Sequence, residues 1–209
     1  MFHLARMRVR TGWSAALCTL LLLCGCAGQP RNSGPVLPHI YSESVDIGGR
    51  FSAQFVRDDK PESWTGSFSW DQSPQAIKIS LQSPFGQTLA TIDVTDTGAT
   101  LTQPDHAPRR APNVDALALQ ALGWPLPVSN LRNWLQAYVI AKDGTRMLAT
   151  PQSTAPIATQ DDWRISYVSW QDDQDSGMQN VPKRIDMERD TAEVGKLQMR
   201  LVITSWQTR

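Results

Sequence analysis

Residues 64–70 read Trp64-Thr65-Gly66-Ser67-Phe68-Ser69-Trp70, and this stretch decides the fold class. Its first and every second residue after it are apolar or small, while the residues between them carry hydroxyl groups. Because successive side chains of a β-strand point to opposite faces, this period of two predicts a strand with one buried face and one solvated face.

The same period recurs on both sides of this stretch and predicts a closely spaced antiparallel meander. The further predicted strands are 47–56, 77–82, 89–94, 99–102, 157–160, 163–170, 184–188 and 196–203. The Gly48-Gly49 pair predicts a β-bulge in the first of them. The fold is therefore expected to be mainly β.

Two short amphipathic helices are predicted between the two blocks of strands. Asn113 is expected to cap a helix over 114–122 that ends at Gly123, and Ser129 is expected to cap a second helix over 130–137. Their apolar residues recur at helical spacing, so each helix has one face to bury. The simplest arrangement places both helices as a cover or plug over a curved sheet.

The turn Ser83-Pro84-Phe85-Gly86-Gln87 separates two of the predicted strands and carries a large aromatic side chain at its tip. The pattern allows two interpretations. Phe85 folds back onto the core, or it forms an exposed apolar finger that touches a membrane or a lipid.

The N-terminus has three arginines in its first ten residues, an apolar run that ends at Leu23, and no acidic residue before Cys26. This order is typical of a secretory signal peptide. Leu23, Gly25 and Cys26 also match a bacterial lipobox. We therefore predict that residues 1–25 are removed and that Cys26 carries a diacylglycerol thioether and an acylated amine. A plain secretory signal and lipidation at Cys24 are the alternatives.

A lipid on Cys26 predicts a protein that is anchored to a membrane surface and faces the periplasm. Ala27 follows the cysteine, whereas an Asp there usually retains proteobacterial lipoproteins in the inner membrane, so the outer membrane is expected. Residues 26–44 contain Gly, Pro, Asn and Ser with little periodicity and are predicted to be a flexible tether. Residues 45–209 are then one domain.

Charge and cysteine content narrow the possible partners. Without the three leader arginines, 17 of the 20 Lys and Arg residues remain against 20 Asp and Glu, a net charge of −3. This balance argues against nucleic acid as a partner, because phosphate neutralisation requires clustered cations. No cysteine other than Cys26 remains after processing, so neither a disulfide framework nor a thiolate metal site is expected.

No catalytic motif stands out. Only His39 and His106 survive processing, in the predicted tether and in a predicted loop, and no G-x-S-x-G motif occurs. An enzyme is not expected, and no catalytic residue, metal or cofactor is predicted. From the residues alone, two interpretations remain. The protein is a half-open barrel that holds acyl chains, or it is a structural lipoprotein with a filled core.

Several segments, in the same order along the chain, resemble the LolB family of outer-membrane lipoprotein receptors. They are 49–52, 66–70, 83–90, 122–128 with Leu131, Trp134 and Leu135, 163–167 with Trp170, 182–185, and 196–203 with Trp206. Together they span nearly all of the mature chain. The family usually carries Leu at the tip of the loop, where this chain has Phe85.

The resemblance implies an incomplete, half-open antiparallel β-barrel of the LolA/LolB type, with an apolar cavity covered by short α-helices. It implies a monomeric receptor that accepts acylated lipoproteins from the periplasmic carrier LolA and places them in the outer membrane. Pro84, Phe85 and Gly86 match the loop that enters the lipids of that membrane.

The acyl chains of the cargo are expected to contact apolar residues of the alternating strands, on the face that looks inward. The predicted cavity residues are Phe51, Trp64, Phe68, Trp70, Ile79, Trp163, Ile165, Tyr167, Met187, Met199, Leu201 and Ile203. Arg50, Arg164, Arg184 and Arg200 are interspersed, and they either contact the partner or cargo or simply form a solvated strand face.

Overall fold

Twelve strands and two helices make up the part of the chain that this computed structural model describes, residues 40–173 and 178–209. The predicted signal peptide, Cys26 and most of the predicted tether lie outside the described residues. The strands are β1 Val45–Arg57, β2 Lys60–Gln72, β3 Ala76–Gln82, β4 Thr88–Thr95, β5 Gly98–Thr102, β6 Arg109–Ala111, β7 Tyr138–Ile140, β8 Arg146–Leu148, β9 Ile157–Ala158, β10 Arg164–Asp173, β11 Met178–Thr191 and β12 Gly195–Thr208. The helices are α1 Val114–Leu122 and α2 Val128–Trp134.

Ten of these strands form one antiparallel sheet in the order β6-β5-β4-β3-β2-β1-β12-β11-β10-β9. The first and last long strands pair at its centre, and among the described residues the edge strands β6 and β9 do not pair with each other. β7 and β8 form a separate hairpin. The predicted fold class, a mainly β, half-open sheet with short covering helices, is confirmed.

The pairing of β1 with β12 shifts by one residue at Gly48 and Gly49. The extra residue is Thr204 of β12, so the bulge predicted in β1 lies instead in the partner strand, opposite the two glycines. A side chain at Gly49 would collide with the carbonyl oxygen of Val202 and with the ring of Phe68. Glycine is therefore required by the close approach of β12 and by the packing of Phe68.

Helix α1 has the predicted boundaries and caps. The Asn113 side chain accepts hydrogen bonds from the backbone N–H groups of Asp115 and Ala116 at 2.9 and 3.0 Å. Gly123 adopts a left-handed conformation with φ 77°, and its N–H donates to the carbonyl of Leu119. This geometry is typical of a helix that ends at a glycine.

Helix α2 differs from the prediction, because it begins at Val128 and ends at Trp134. Ser129 is not its cap: the N-cap is Pro127, which makes no side-chain hydrogen bond. Instead, Asp115 of α1 accepts hydrogen bonds from the backbone N–H and the hydroxyl of Ser129. A carboxylate from the neighbouring helix thus caps α2, and the sequence around α2 holds no sign of this.

The core fills the space between the inner face of the sheet and the two helices. Trp70, Trp124 and Trp163 are almost fully buried in it. Among the described residues, neither helix combines the length and the hydropathy that a bilayer span requires.

Candidate functional site

A wholly apolar pocket lies beneath the helices, against the inner face of the sheet. Six of the predicted cavity residues line it, namely Phe51, Phe68, Trp70, Ile79, Met199 and Leu201. Leu81, Trp124, Leu126, Leu131 and Leu135 complete the lining and were missed by the sequence analysis. The predicted candidates all lie on alternating strands, whereas four of these five residues lie on α2 or the segments that flank it. The helical spacing of Leu131 and Leu135 was the available signal.

The pocket is small in this structure, with a volume of about 30 Å³. That volume holds about two water molecules. Pockets that hold small ligands usually measure roughly 300–1,000 Å³. The interior is therefore filled mainly by the protein's own side chains.

The other predicted cavity residues do not line this pocket. Trp163, Ile165, Tyr167, Met187 and Ile203 are buried in the same core cluster. Trp64 is half-buried, and its ring centroid lies 6.3 Å from that of Trp124. All twelve thus face the core or its margin, while their contact with acyl chains stays a prediction.

Tyr167 joins the sheet to the end of α2. Its hydroxyl donates a hydrogen bond of 2.8 Å to the carbonyl oxygen of Trp134. Burial raises the pKa of the Tyr167 phenol well above its ordinary value, because the phenolate would lose its hydration. Tyr167 is therefore a neutral donor throughout the physiological range.

Exposed polar contacts lie along the rim of the helical cover, which consists of α1, α2 and the segment between them. Arg57 donates to the carbonyl oxygen of Gly123 at 3.2 Å, and Asn130 donates to Asp161 at 2.9 Å. Arg132 donates to Glu43 at 3.0 Å. These contacts are exposed, and exposed polar pairs contribute little free energy, so they add little to the apolar packing of the cover on the sheet.

Residues 41–44, the end of the predicted tether, also contact the cover. The buried side chain of Gln136 accepts a hydrogen bond from the N–H of Ser42 at 2.8 Å and donates one to its carbonyl oxygen at 2.9 Å. The ring of Tyr41 packs edge-on against that of Tyr138. The chain is thus fixed to the domain before β1 begins.

Phe85 is an exposed finger, and the alternative in which it folds back onto the core is wrong. Its side chain is 91% exposed. The Ser83 hydroxyl accepts hydrogen bonds from the N–H groups of Phe85 and Gln87 at 3.3 and 3.2 Å, and the backbone of Ser83 pairs with that of Gln87. Gly86 has φ 82°, a conformation that favours glycine. The loop is therefore a closed hairpin that holds Phe85 outward.

The outer face of the sheet carries the four arginines. Arg164 pairs with Glu188 at 3.2 Å, while Arg184 and Arg200 both pair with Asp186. Partial burial raises the pKa of Asp186, but the hydrogen bonds from these two guanidinium groups outweigh that effect and lower it. For Arg164, Arg184 and Arg200 these contacts indicate an ion-paired strand face.

The sequence of this domain matches that of a known protein family. The family model described as "Outer membrane lipoprotein LolB" matches residues 44–206. A protein of that name from Cupriavidus taiwanensis is 43% identical over 188 residues, which cover 88% of this chain and 90% of the relative. One from Ralstonia nicotianae is 41% identical over 194 residues, with 87% and 90% covered.

A solved structure of a LolA superfamily protein from Nitrosomonas europaea covers 82% of this chain and 88% of its own, with a TM-score of 0.46 and 10% identity. At that score the likeness adds nothing to the assignment. In residues 40–173 and 178–209, no group of three or more His, Cys, Asp or Glu side chains is placed to hold a metal ion. The family model and the relatives agree with each other over nearly the whole domain, and the chain therefore belongs to the LolB family of outer-membrane lipoproteins.

Proposed function

We propose that this chain is a receptor that accepts acylated lipoproteins from the periplasmic carrier LolA and places them in the outer membrane. The observation that carries the proposal is the apolar pocket between the inner face of the sheet and the helices. Residues 1–25 are the leader, Cys26 is the lipid anchor, residues 26–44 are the tether and residues 45–209 bind the cargo. The proposed function includes no catalytic step and no metal or cofactor.

A receptor of this kind is required by the hydrophobic effect. Three acyl chains carry roughly 45 methylene groups, and about 0.8 kcal/mol each gives on the order of 35 kcal/mol against release into water. The chains must therefore pass directly from the carrier's cavity to a second cavity and then to the bilayer. Because the sequence holds no ATP-binding motif, each transfer has to run downhill in free energy. The cavity of this protein must therefore bind acyl chains more tightly than the carrier's cavity does, and the bilayer must bind them more tightly still.

Cargo binding requires the pocket to expand. Leu131 and Leu135 of α2 and the neighbouring Trp124 occupy one side of it, and the contacts at the rim of the cover are weak. Outward movement of α2 and the Trp124 segment would make room for acyl chains at little cost in polar contacts. The indole N–H of Trp124 is buried without a hydrogen-bond partner among the described residues, so an ester carbonyl of the cargo would relieve its desolvation cost.

Delivery then needs contact with the bilayer, and the Phe85 loop supplies it. The loop projects one large apolar side chain that the domain itself does not cover. Burial of such a side chain in lipid contributes roughly 1.5–3 kcal/mol. This contribution brings the domain to the surface without fixing it there irreversibly.

The small volume of the pocket favours one other candidate, a structural lipoprotein with a permanently filled core. The two functions differ in cargo acceptance. The core cluster of the described residues lies in one compact unit, residues 37–209, so a soluble form that begins at residue 27 is expected to keep this core.

The test mixes this soluble form with LolA loaded with a labelled lipoprotein and then separates the two proteins. Label on the soluble form is the expected result. Label that stays entirely on a competent carrier from the same organism would exclude the receptor and leave the structural lipoprotein.

A further inference from the structure

Arg50 differs from the other arginines of the outer sheet face. Its side chain is exposed, and among the described residues it takes part in no hydrogen bond or ion pair. Arg164, Arg184 and Arg200 each have a carboxylate partner. In a domain with an excess of acidic residues, one strand arginine is thus left without a counter-charge.

The strand register places a second cation beside Arg50. Arg50 lies opposite Val202 of β12, and Ser52 lies opposite Arg200, so the two arginines are diagonal neighbours. Diagonal positions are roughly 7–8 Å apart. Arg200 shares Asp186 with Arg184. Arg50 therefore adds a third guanidinium group, without a carboxylate of its own, beside two that share one carboxylate, and an anion near Arg50 would be stabilised.

Arg50 and Arg200 lie on a cleft of about 650 Å³ that also contains hydroxyl groups. The hydroxyl-bearing residues of its lining are Ser52, Thr65, Ser67 and Ser83. Guanidinium groups bind phosphate oxygens through paired hydrogen bonds, and hydroxyl groups add donors. The lining thus has the chemistry of a phosphate site.

The cleft continues to the Phe85 loop. Pro84 and Gly86 form its far end. Arg50 on β1 lies opposite Ser67 on β2, which lies opposite Gln82 at the base of the loop. Two strand spacings put Arg50 about 10 Å from that base, which is near enough for its guanidinium group to face lipid headgroups when the loop tip enters the bilayer.

We propose that this cleft binds the phosphate headgroup of an anionic phospholipid, with Arg50 as the principal cation, while Phe85 is in the bilayer. The inference rests on the proposed function, because it describes how the domain is oriented on the membrane during delivery. Phe85 supplies the apolar contact, and Arg50 supplies a contact that depends on lipid charge.

The test measures binding of the soluble form to vesicles of equal parts phosphatidylcholine and phosphatidylglycerol, and to vesicles of phosphatidylcholine alone. Arg50→Gln should weaken binding to the anionic vesicles about fivefold and leave binding to the neutral vesicles unchanged. Arg50→Lys, which retains the charge, should keep most of the binding to the anionic vesicles. The matched control is Arg164→Gln, which removes the same charge from the same face at β10.

Equal losses in Arg50→Gln and Arg164→Gln would overturn the proposal, because net charge alone would then explain the binding. An unchanged Arg50→Gln variant would also overturn it, as would a loss of carrier binding in place of vesicle binding. Cargo acceptance in solution is measured in parallel, and Arg50→Gln should accept cargo normally. The unaltered protein could fail to accept cargo while Arg50→Gln still weakens binding to anionic vesicles alone. The receptor function would then be wrong, and the proposed lipid site would be supported.

Discussion

Phe85 is the single residue on which the proposed contact with the membrane depends. Phe85 has almost no contact with its own domain, and its position is set by the hydroxyl of Ser83 and the left-handed conformation of Gly86. The sequence showed that an aromatic lay in a turn, but it did not show on which side of the turn the ring lies. The hydrogen bonds within the loop decide that, and they become apparent only when both strand ends are placed.

Phe85→Glu should slow the delivery of bound cargo to vesicles by about tenfold or more, because roughly 1.5–3 kcal/mol of apolar burial is lost and a charge is added. Acceptance of cargo should stay normal, and the free energy of unfolding should change by less than about 0.5 kcal/mol, since the side chain is exposed. Delivery kinetics from the preloaded soluble form are the measurement. Phe85→Leu is the control and should deliver normally; an unimpaired Phe85→Glu variant would remove the loop from the mechanism.

Asp186 gives the outer sheet face a pH-dependent stability. Its pKa is lowered in the folded protein, so its contribution is present above the ordinary pKa of an Asp and is lost as the pH falls through the lower, folded-state value. Asp186→Asn should therefore lower the free energy of unfolding by about 1 kcal/mol at neutral pH. Urea unfolding at neutral and acidic pH checks this, and an undiminished difference below the folded-state pKa would contradict it.

The elements were predictable where local sequence determines them. The alternation over 64–70 and both caps of α1 come from interactions between near neighbours in the chain, and all are present. The bulge predicted at Gly48-Gly49 lies instead in β12, opposite these glycines, because the pairing of two distant strands determines it. The predicted start of α2 was wrong because the carboxylate that accepts hydrogen bonds at its N-terminus, Asp115, belongs to another helix. The cavity residues on α2 and around Trp124 were missed for the same reason, since helix packing onto the sheet determines them.

The helical cover is expected to open when cargo enters. Asn130 of α2 and Asp161 of the turn before β10 are hydrogen-bonded across the rim. Cysteines at both positions, joined by a short bismaleimide cross-linker in the soluble form, should abolish cargo acceptance, while the unlinked variant should accept cargo. The matched control links Asp93 and Thr100, which pair across β4 and β5. Normal acceptance by the Asn130–Asp161 cross-linked form would show that the cover does not need to move there.

The whole molecule combines a small apolar pocket, a helical cover whose rim contacts are exposed, and an exposed loop on one domain. The family could be recognised from short segments spread over the chain, because the sheet, the cover and the loop each need particular residues. The small volume of the cavity could not be predicted from the sequence. It depends on how far Leu131 and Leu135 enter the space above the sheet, which is a property of packing.

The central claim is that acyl chains of the cargo lie between the cover and the inner face of the sheet. The most direct measurement loads LolA with a lipoprotein that carries a photoreactive diazirine in its acyl chains, transfers it to the soluble form, and maps the cross-links made on illumination. Ile79 and Lys78 are adjacent on β3 but lie on opposite faces. Cross-links at Ile79, Leu131 and other lining residues, with none at Lys78, are the predicted result. Cargo that is bound but cross-linked only to the outer face would contradict the account.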